Sequence, residues 1–353
     1  MKIIFSAAIV GILIAASCSR SEVEILAICE ELNADSVIIK WETLPNIVGQ
    51  VHIYTSASRE SVRQLMATAN VERGQVVLPI PQFPRPHFYT LVLDDQKELT
   101  VSTRRIYVKG VDNFRDIGGY LTSDKKEIEW GMVYRSDCLD SIENTQATLI
   151  EQLGIKTVID LRALNEIEQS KIVPLSSQIQ VFNTPLYSAR LDSYYRRIHD
   201  EKVTLDSLRH IVLDMHIEFV ENHTESFYQI FEILQNPNVY PVLLSCKSGK
   251  MRVGFLTALL LKMLGVDQET IVADYTLSDQ YCRLPQVSLF GEALSEESQE
   301  IITAFYSSQP QYMDDIFDYL NTRYGGVFEY LQTRVGLSAH EIAHLRALLV
   351  RHS

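Results

Sequence analysis

The chain has 353 residues, is 46% hydrophobic and carries a formal net charge of −13 at neutral pH. That length and apolar content bury a full core and predict two domains. The acidic balance argues against nucleic acid and an anionic membrane face as partners, since both would repel it.

The first element is an address. Lys2 gives a positive start, residues 3–16 form an apolar run too short to span a bilayer, and Ala15-Ala16-Ser17 precedes Cys18. Small residues directly before a cysteine predict a bacterial lipoprotein signal over 1–21. Cys18 would then be the lipidated N-terminus of an exported chain, anchored to the membrane rather than spanning it. An ordinary secretory signal is the other reading, and both place the mature chain outside the cytoplasm. That compartment permits disulfides, yet Cys29, Cys138, Cys246 and Cys282 show no framework spacing.

Residues 22–108 read as short strands: Val37–Trp41, Val51–Tyr54, Val76–Ile80, His87–Leu93 and Arg104–Val108. Asn46, Gly49 and prolines 79, 81, 84 and 86 punctuate them. The spacing predicts a small all-β sandwich, Ig- or fibronectin-III-like, with Trp41 in its core. No group of residues in this stretch is equipped for chemistry, so its expected role is that of a spacer or docking module.

Residues 109–353 change character. A strand is predicted over Gln180–Pro185. Leu208, Ile211, Val212, Met215, Phe219, Phe227, Ile230, Phe231 and Leu234 recur at helical spacing, with a break near Asn222-His223-Thr224. Two amphipathic helices fit. His210, His216 and His223 lie there, each expected to be an ordinary surface or core histidine.

The chemistry concentrates after a short apolar strand, Pro241–Ser245. Cys246 and Arg252 stand six apart in Cys-Lys-Ser-Gly-Lys-Met-Arg, followed by a long apolar helix through Phe255, Leu259 and Met263 that ends at Gly265. Five intervening residues can curl their N–H groups around a tetrahedral anion, with the sulfur below phosphorus and the guanidinium closing over two oxygens. The helix N-terminus adds unpaired N–H groups and the positive end of a dipole. Such surroundings lower a cysteine pKa from about 8.5 by one to several units. The candidate catalytic pair is Cys246 and Arg252. Lys247, Ser248, Gly249, Lys250, Met251, Val253 and Gly254 are the candidate phosphate-binding residues.

Several stretches resemble the bacterial tyrosine and phosphoinositide phosphatases. Asn113-Phe114-Arg115-Asp116-Ile117-Gly118-Gly119-Tyr120 is similar to that family's opening signature. Tyr134-Arg135-Ser136, Gly154–Arg162 with Glu166, the Cys246 loop, Ala273-Asp274-Tyr275, Tyr324-Gly325-Gly326, Leu331 and Gly336-Leu337-Ser338 follow in family order. The resemblance runs from about Gly110 to Val350. It implies an α/β cysteine-phosphatase fold, a central, mostly parallel sheet flanked by helices, with no metal or organic cofactor. It also implies a phosphorylated protein or phosphoinositide as substrate, and in relatives the 205–234 region can form a lid.

Three positions depart from the family pattern: Ser245 where His is usual, Met251 where Asp or another polar group is usual, and Val253 where Thr or Ser is usual. Two functions therefore stay open, a cysteine-dependent phosphomonoester hydrolase or a phosphate-binding pseudo-enzyme with little turnover. Arg115, Arg135, Arg162, Lys247, Lys250 and Arg252 either gather positive potential for the substrate or are scattered solvated charges. Lys250 either meets an extra phosphate on an inositol ring or faces solvent. With Met251 unable to give a proton, the leaving-group acid is sought after the 180–185 strand. Asp192 is the first carboxylate there, either that acid or a solvated surface residue, while Ser188 occupies the aligned position.

Overall fold

The computed structural model describes residues 23–59, 61–81, 87–93, 97–140, 142, 144–168, 178–188, 190, 193–194, 196–197, 203–282 and 295–351. The signal segment with Cys18, prolines 84 and 86, and Asp192 lie outside the described residues.

Seven strands come first: β1 (Glu24–Glu31), β2 (Ser36–Leu44), β3 (Gln50–Ser56), β4 (Gln64–Asn70), β5 (Gln75–Pro79), β6 (Phe88–Leu93) and β7 (Lys97–Arg105). β1, β2 and β5 form one layer and β4, β3, β6 and β7 the other. Alternation in β2 turns Val37, Ile39 and Trp41 inward, where they join Ile25 and Cys29 against Val51, Ile53, Tyr89, Leu91 and Val101. Trp41 is a core residue, its Nε1 donating to the Val71 carbonyl at 2.8 Å. β1 and β4 were not expected. β4 reads Gln-Leu-Met-Ala-Thr-Ala-Asn and buries a single side chain, so it carries little period-two signal. The last strand lies at 97–105 rather than 104–108. Ile106 and Val108 pack instead with Val111, Phe114 and Tyr134.

β7 leads into the second part through Arg105, which pairs with Arg115 of β8 (Arg115–Asp116). β8 pairs with β9 (Val133–Ser136), and from there the sheet is parallel: β9, β12 (Val242–Ser245), β10 (Thr157–Asp160) and β11 (Gln180–Asn183). The fold is therefore α/β with a mostly parallel central sheet, preceded by a β region. In register, Ser136, Ser245, Asp160 and Asn183 stand side by side at the carboxyl ends of these strands. Open α/β sheets place their ligands at that end.

The helices are α1 (Asn144–Gln152), α2 (Leu164–Glu168), α3 (Leu205–Asn222), α4 (Thr224–Leu234), α5 (Met251–Leu264), α6 (Gln268–Tyr281), α7 (Glu296–Tyr306), α8 (Pro310–Tyr324), α9 (Val327–Tyr330) with a π turn at Leu331–Val335, and α10 (Ala339–Leu349). α5 is apolar nearly all round and is buried accordingly. Gly265 ends it at φ 97°, and Asp267 caps α6 by accepting from the Thr270 N–H at 2.8 Å. α3 and α4 appear with the expected break at His223. Their apolar stripes belong to the main core beside α5 and α8 rather than to a lid. Among the described residues no helix is long and apolar enough to cross a membrane.

Candidate active site

β12 is buried at every position and delivers Cys246 to its carboxyl end, where the thiol residue is 1% exposed. α5 begins at Met251, so residues 246–250 form the turn between strand and helix. The turn's carbonyls are held from outside. The Gly249 oxygen accepts from Asn113 Nδ2 at 2.7 Å and from Arg135 Nη2 at 2.8 Å. Across a trans peptide the next N–H points the opposite way, so the Lys250 N–H is directed away from both donors. The Ser248 oxygen accepts from Cys282 Sγ at 3.5 Å, which sets the Gly249 N–H likewise. Gly249 sits at φ 65°, and a Cβ there would come within 2.5 Å of the Ser136 carbonyl oxygen. No larger residue fits.

Arg252 is fixed by Glu166 on α2. Nη1 donates to Oε2 at 2.6 Å and Nη2 to Oε1 at 2.9 Å. Glu166 Oε2 also accepts the Ala163 N–H at 2.9 Å. Burial pushes the Arg252 pKa down, but the Glu166 carboxylate and the nearby Cys246 sulfur more than reverse this, so it lies above its ordinary value. Burial pushes Glu166 up, and the Arg252 guanidinium outweighs that, holding the carboxyl below its usual range. Glu166 entered the sequence reading only as a landmark of the resemblance, with no role given, and the structure places it on Arg252. Its signal is the spacing after the β10 strand, Leu161-Arg162 and then Glu166.

Behind the turn lies a buried ionic network. Asp274 on α6 accepts from Arg115 Nε at 3.0 Å, Arg135 Nη1 at 2.7 Å and the Tyr120 hydroxyl at 2.9 Å. Arg115 also donates to Ser278 Oγ and to Asn113 Oδ1. Burial alone would raise the Asp274 pKa, but the two guanidiniums outweigh it and hold the carboxyl far below its usual range. Burial and the Arg115 charge bring Arg135 down to about 10, against the pull of Asp274.

The reading of the motif arginines as scattered solvated charges is corrected by this network. Arg115, Arg135 and Arg162 are buried, and all three are paired; Arg162 binds Asp160 and Asp140 at 2.7 Å each. They do not face solvent. Their physical role is to hold the turn and the strand ends. Lys250 is likewise neither solvated nor free for an inositol phosphate: its Nζ donates to Asp279 Oδ1 at 2.9 Å and to the Tyr306 carbonyl at 2.8 Å.

The other candidates are placed as follows. Lys247 and Ser248 are exposed on the turn, Met251 is half-buried against the main core, and Val253 is fully buried. Gly254 lies so near Tyr275 that a Cβ would stand 2.8 Å from its ring. Ser245 donates to the Asp137 carbonyl at 2.9 Å. Ser188 is buried, its Oγ accepting from the Arg190 N–H at 3.3 Å. Of the expected histidines, His216 is a core residue bonded to the Val212 carbonyl, while the ring of His223 bonds the Tyr187 carbonyl. Among the described residues no cluster of three or more His, Cys, Asp or Glu could hold a metal ion, and the four described cysteines are free.

A sequence model described as the tyrosine phosphatase family matches residues 106–351. The triple specificity protein phosphatase PtpB of Mycobacterium tuberculosis is 23% identical over 277 residues, 68% of this chain and 97% of that protein. A tyrosine-protein phosphatase of Nostoc commune is 25% identical over 236 residues, 61% of this chain and 73% of that protein. Among solved structures, the core catalytic domain of the PP-IP phosphatase SIW14 from S. cerevisiae aligns over 62% of this chain and 96% of that one. Its identity is 16% and its TM-score 0.29, a likeness too weak to inform the fold.

Proposed function

The chain belongs to the tyrosine phosphatase family, and on that premise we propose that it hydrolyses phosphomonoesters through a cysteinyl-phosphate. Cys246 attacks phosphorus in line as a thiolate, forming the S–P bond while the ester P–O bond breaks. The alkoxide or phenolate leaves with the bonding pair, taking its proton from a general acid or from water. Water then attacks the same phosphorus, releasing inorganic phosphate and restoring the thiolate. The Arg252 fork binds two equatorial oxygens, and the N–H groups of the turn and of the first turn of α5 receive the rest of the charge. The observation that carries this reading is the buried Cys246 beneath a turn whose carbonyls are pinned outward, beside an arginine oriented by Glu166.

Substrates are proposed to be phosphotyrosine proteins or phosphoinositides. The commitment of Lys250 to Asp279 favours phosphotyrosine, since the lysine offers no charge to a second phosphate. The leaving-group acid is not found at Met251, and Glu166 and Asp140 are engaged by Arg252 and Arg162. Asp192 keeps its candidacy from sequence alone.

The pseudo-enzyme reading rests on Ser245, Met251 and Val253. Hydrolysis of p-nitrophenyl phosphate by wild type and by Cys246→Ser separates the two. Turnover is expected in wild type and lost in the variant, which retains vanadate binding. A wild type as inert as Cys246→Ser, while still binding vanadate, is a binding module. We further propose that 22–108 and 109–353 are separate domains and that Cys18 carries a lipid anchor. A mature N-terminus without lipid on Cys18, read by mass spectrometry, would refute the anchor.

A further inference from the structure

The β region was expected to be a spacer or docking module, but its contacts reach the helix end from which the turn is held. Tyr281, the last residue of α6, is 5% exposed. Its hydroxyl donates to the carboxylate of Glu30 on β1. Its ring lies beneath Arg105 of β7 at 5.1 Å and Arg115 of β8 at 5.7 Å. Burial, reinforced by the Glu30 carboxylate, pushes its phenol pKa well above the ordinary value, so it remains a donor.

From Tyr281 two short paths reach the turn. Its carbonyl accepts the Asn113 N–H at 3.1 Å. Asn113 sits in the left-handed region at φ 60°, a conformation a side chain adopts at a cost, and its amide holds the Gly249 carbonyl. The next residue after Tyr281 is Cys282, whose sulfur meets the Ser248 carbonyl. Both outward-facing carbonyls of the turn are thus held from one helix end, and that end is tied to β1. A second tie runs parallel to it. Arg104 of β7 donates to the carbonyls of Asp116 at 2.8 Å and Gly118 at 2.6 Å, with its guanidinium stacked on Tyr120 and Trp130.

We infer that the β region positions the phosphate-binding turn, with Glu30 and Tyr281 as positioning residues that act through Asn113 and Cys282. This rests on the turn being the phosphate site. Releasing the phenol frees the end of α6, lets Asn113 relax from its left-handed conformation, and allows the Gly249 and Lys250 N–H groups to wander from the oxyanion.

The test uses the full chain, with vanadate inhibition, kcat and KM on p-nitrophenyl phosphate, and thermal melting. Tyr281→Phe keeps the ring under the guanidiniums, so melting should shift little. Vanadate affinity and kcat should each fall roughly fivefold or more, with KM less affected. Glu30→Leu should reproduce this, and the double variant should be no worse than either single, as partners in one contact behave. Glu30→Gln keeps an acceptor for the phenol and should stay near wild type. Unchanged vanadate affinity and kcat in Tyr281→Phe and Glu30→Leu would overturn the inference and leave the β region a tether. So would a loss in Glu30→Gln as large as in Glu30→Leu without a matching loss in Tyr281→Phe. A wild type that neither binds vanadate nor turns over would refute the phosphate-site reading itself, an outcome distinct from both.

Discussion

Arg252 and Glu166 meet through two parallel N–H···O bonds, with the arginine side chain only 14% exposed. A fork held this way points its remaining donor face at one place. A lysine would keep the charge and lose both the fork and the fit to Glu166. Arg252→Lys is therefore expected to lower kcat/KM and vanadate affinity together. Glu166→Gln, which cannot accept two charge-assisted bonds, should lower kcat/KM roughly tenfold or more while Cys246 stays in place. A Glu166→Gln variant with wild-type kinetics would show that the guanidinium needs no support. The roles of Cys246 and Arg252 were legible at this scale because strand, spacing and helix are all local. The roles of Arg115 and Arg135 were not, since their common partner Asp274 lies 159 and 139 residues further along the chain. No local pattern announces a pair closed only by the fold.

At the scale of elements, that carboxylate ties α6 to both β8 and β9, and the Ser278 hydroxyl and the Asp274 carbonyl add bonds to Arg115. Asp274→Asn would leave two guanidiniums buried beside each other with no carboxylate between them and one of its two oxygens replaced by an N–H donor. Losing one partner of a buried ionic group costs about 3–5 kcal/mol. The variant should lose stability of that order in urea unfolding, and vanadate affinity should weaken as Arg135 releases the Gly249 carbonyl. A change below about 1 kcal/mol would mean that the network is replaceable. The elements that the sequence made visible were those with a strong period or a clear stop. α5 is apolar all round and ends on Gly265, while α3 and α4 part at Asn222-His223-Thr224. β4 stayed hidden because it buries only Ala69, and β1 because its inward and outward residues are both apolar.

At the scale of the whole molecule, His216, Asp116 and Asp274 are buried groups among the described residues that shape stability against pH. His216 is fully buried against Phe219 and Phe255, and burial lowers its pKa to about 4. It stays neutral in the fold while the unfolded chain takes a proton, so stability falls as pH drops from about 6.5 to 4. Asp116 shows the opposite: burial, only partly offset by the N–H groups of Gly118 and Gly131, raises it to about 6. The fold then prefers its protonated form, and stability rises as pH drops from about 6 to 4. These two contributions nearly cancel. Asp274 has a depressed pKa, so its contribution is present above about 4 and is lost below. The melting temperature should be level between about pH 6.5 and 4 and fall steeply beneath. Asp116→Asn should convert the level stretch into a steady decline on acidification, and a wild type that already declines from pH 6.5 would contradict this balance. The joining of the β region to the central sheet was illegible in the sequence, because a single residue pair, Arg105 with Arg115, makes the crossing.

The covalent intermediate tests the central claim most directly. Wild type mixed with a phosphotyrosine peptide and quenched within a turnover should yield, on digestion and mass spectrometry, a phosphorylated peptide containing Cys246 and no other modified residue. Under the same quench Cys246→Ser should yield none. Steady turnover in wild type with Cys246 unmodified at every quench time, or with phosphate on a different residue, would contradict catalysis through a cysteinyl-phosphate.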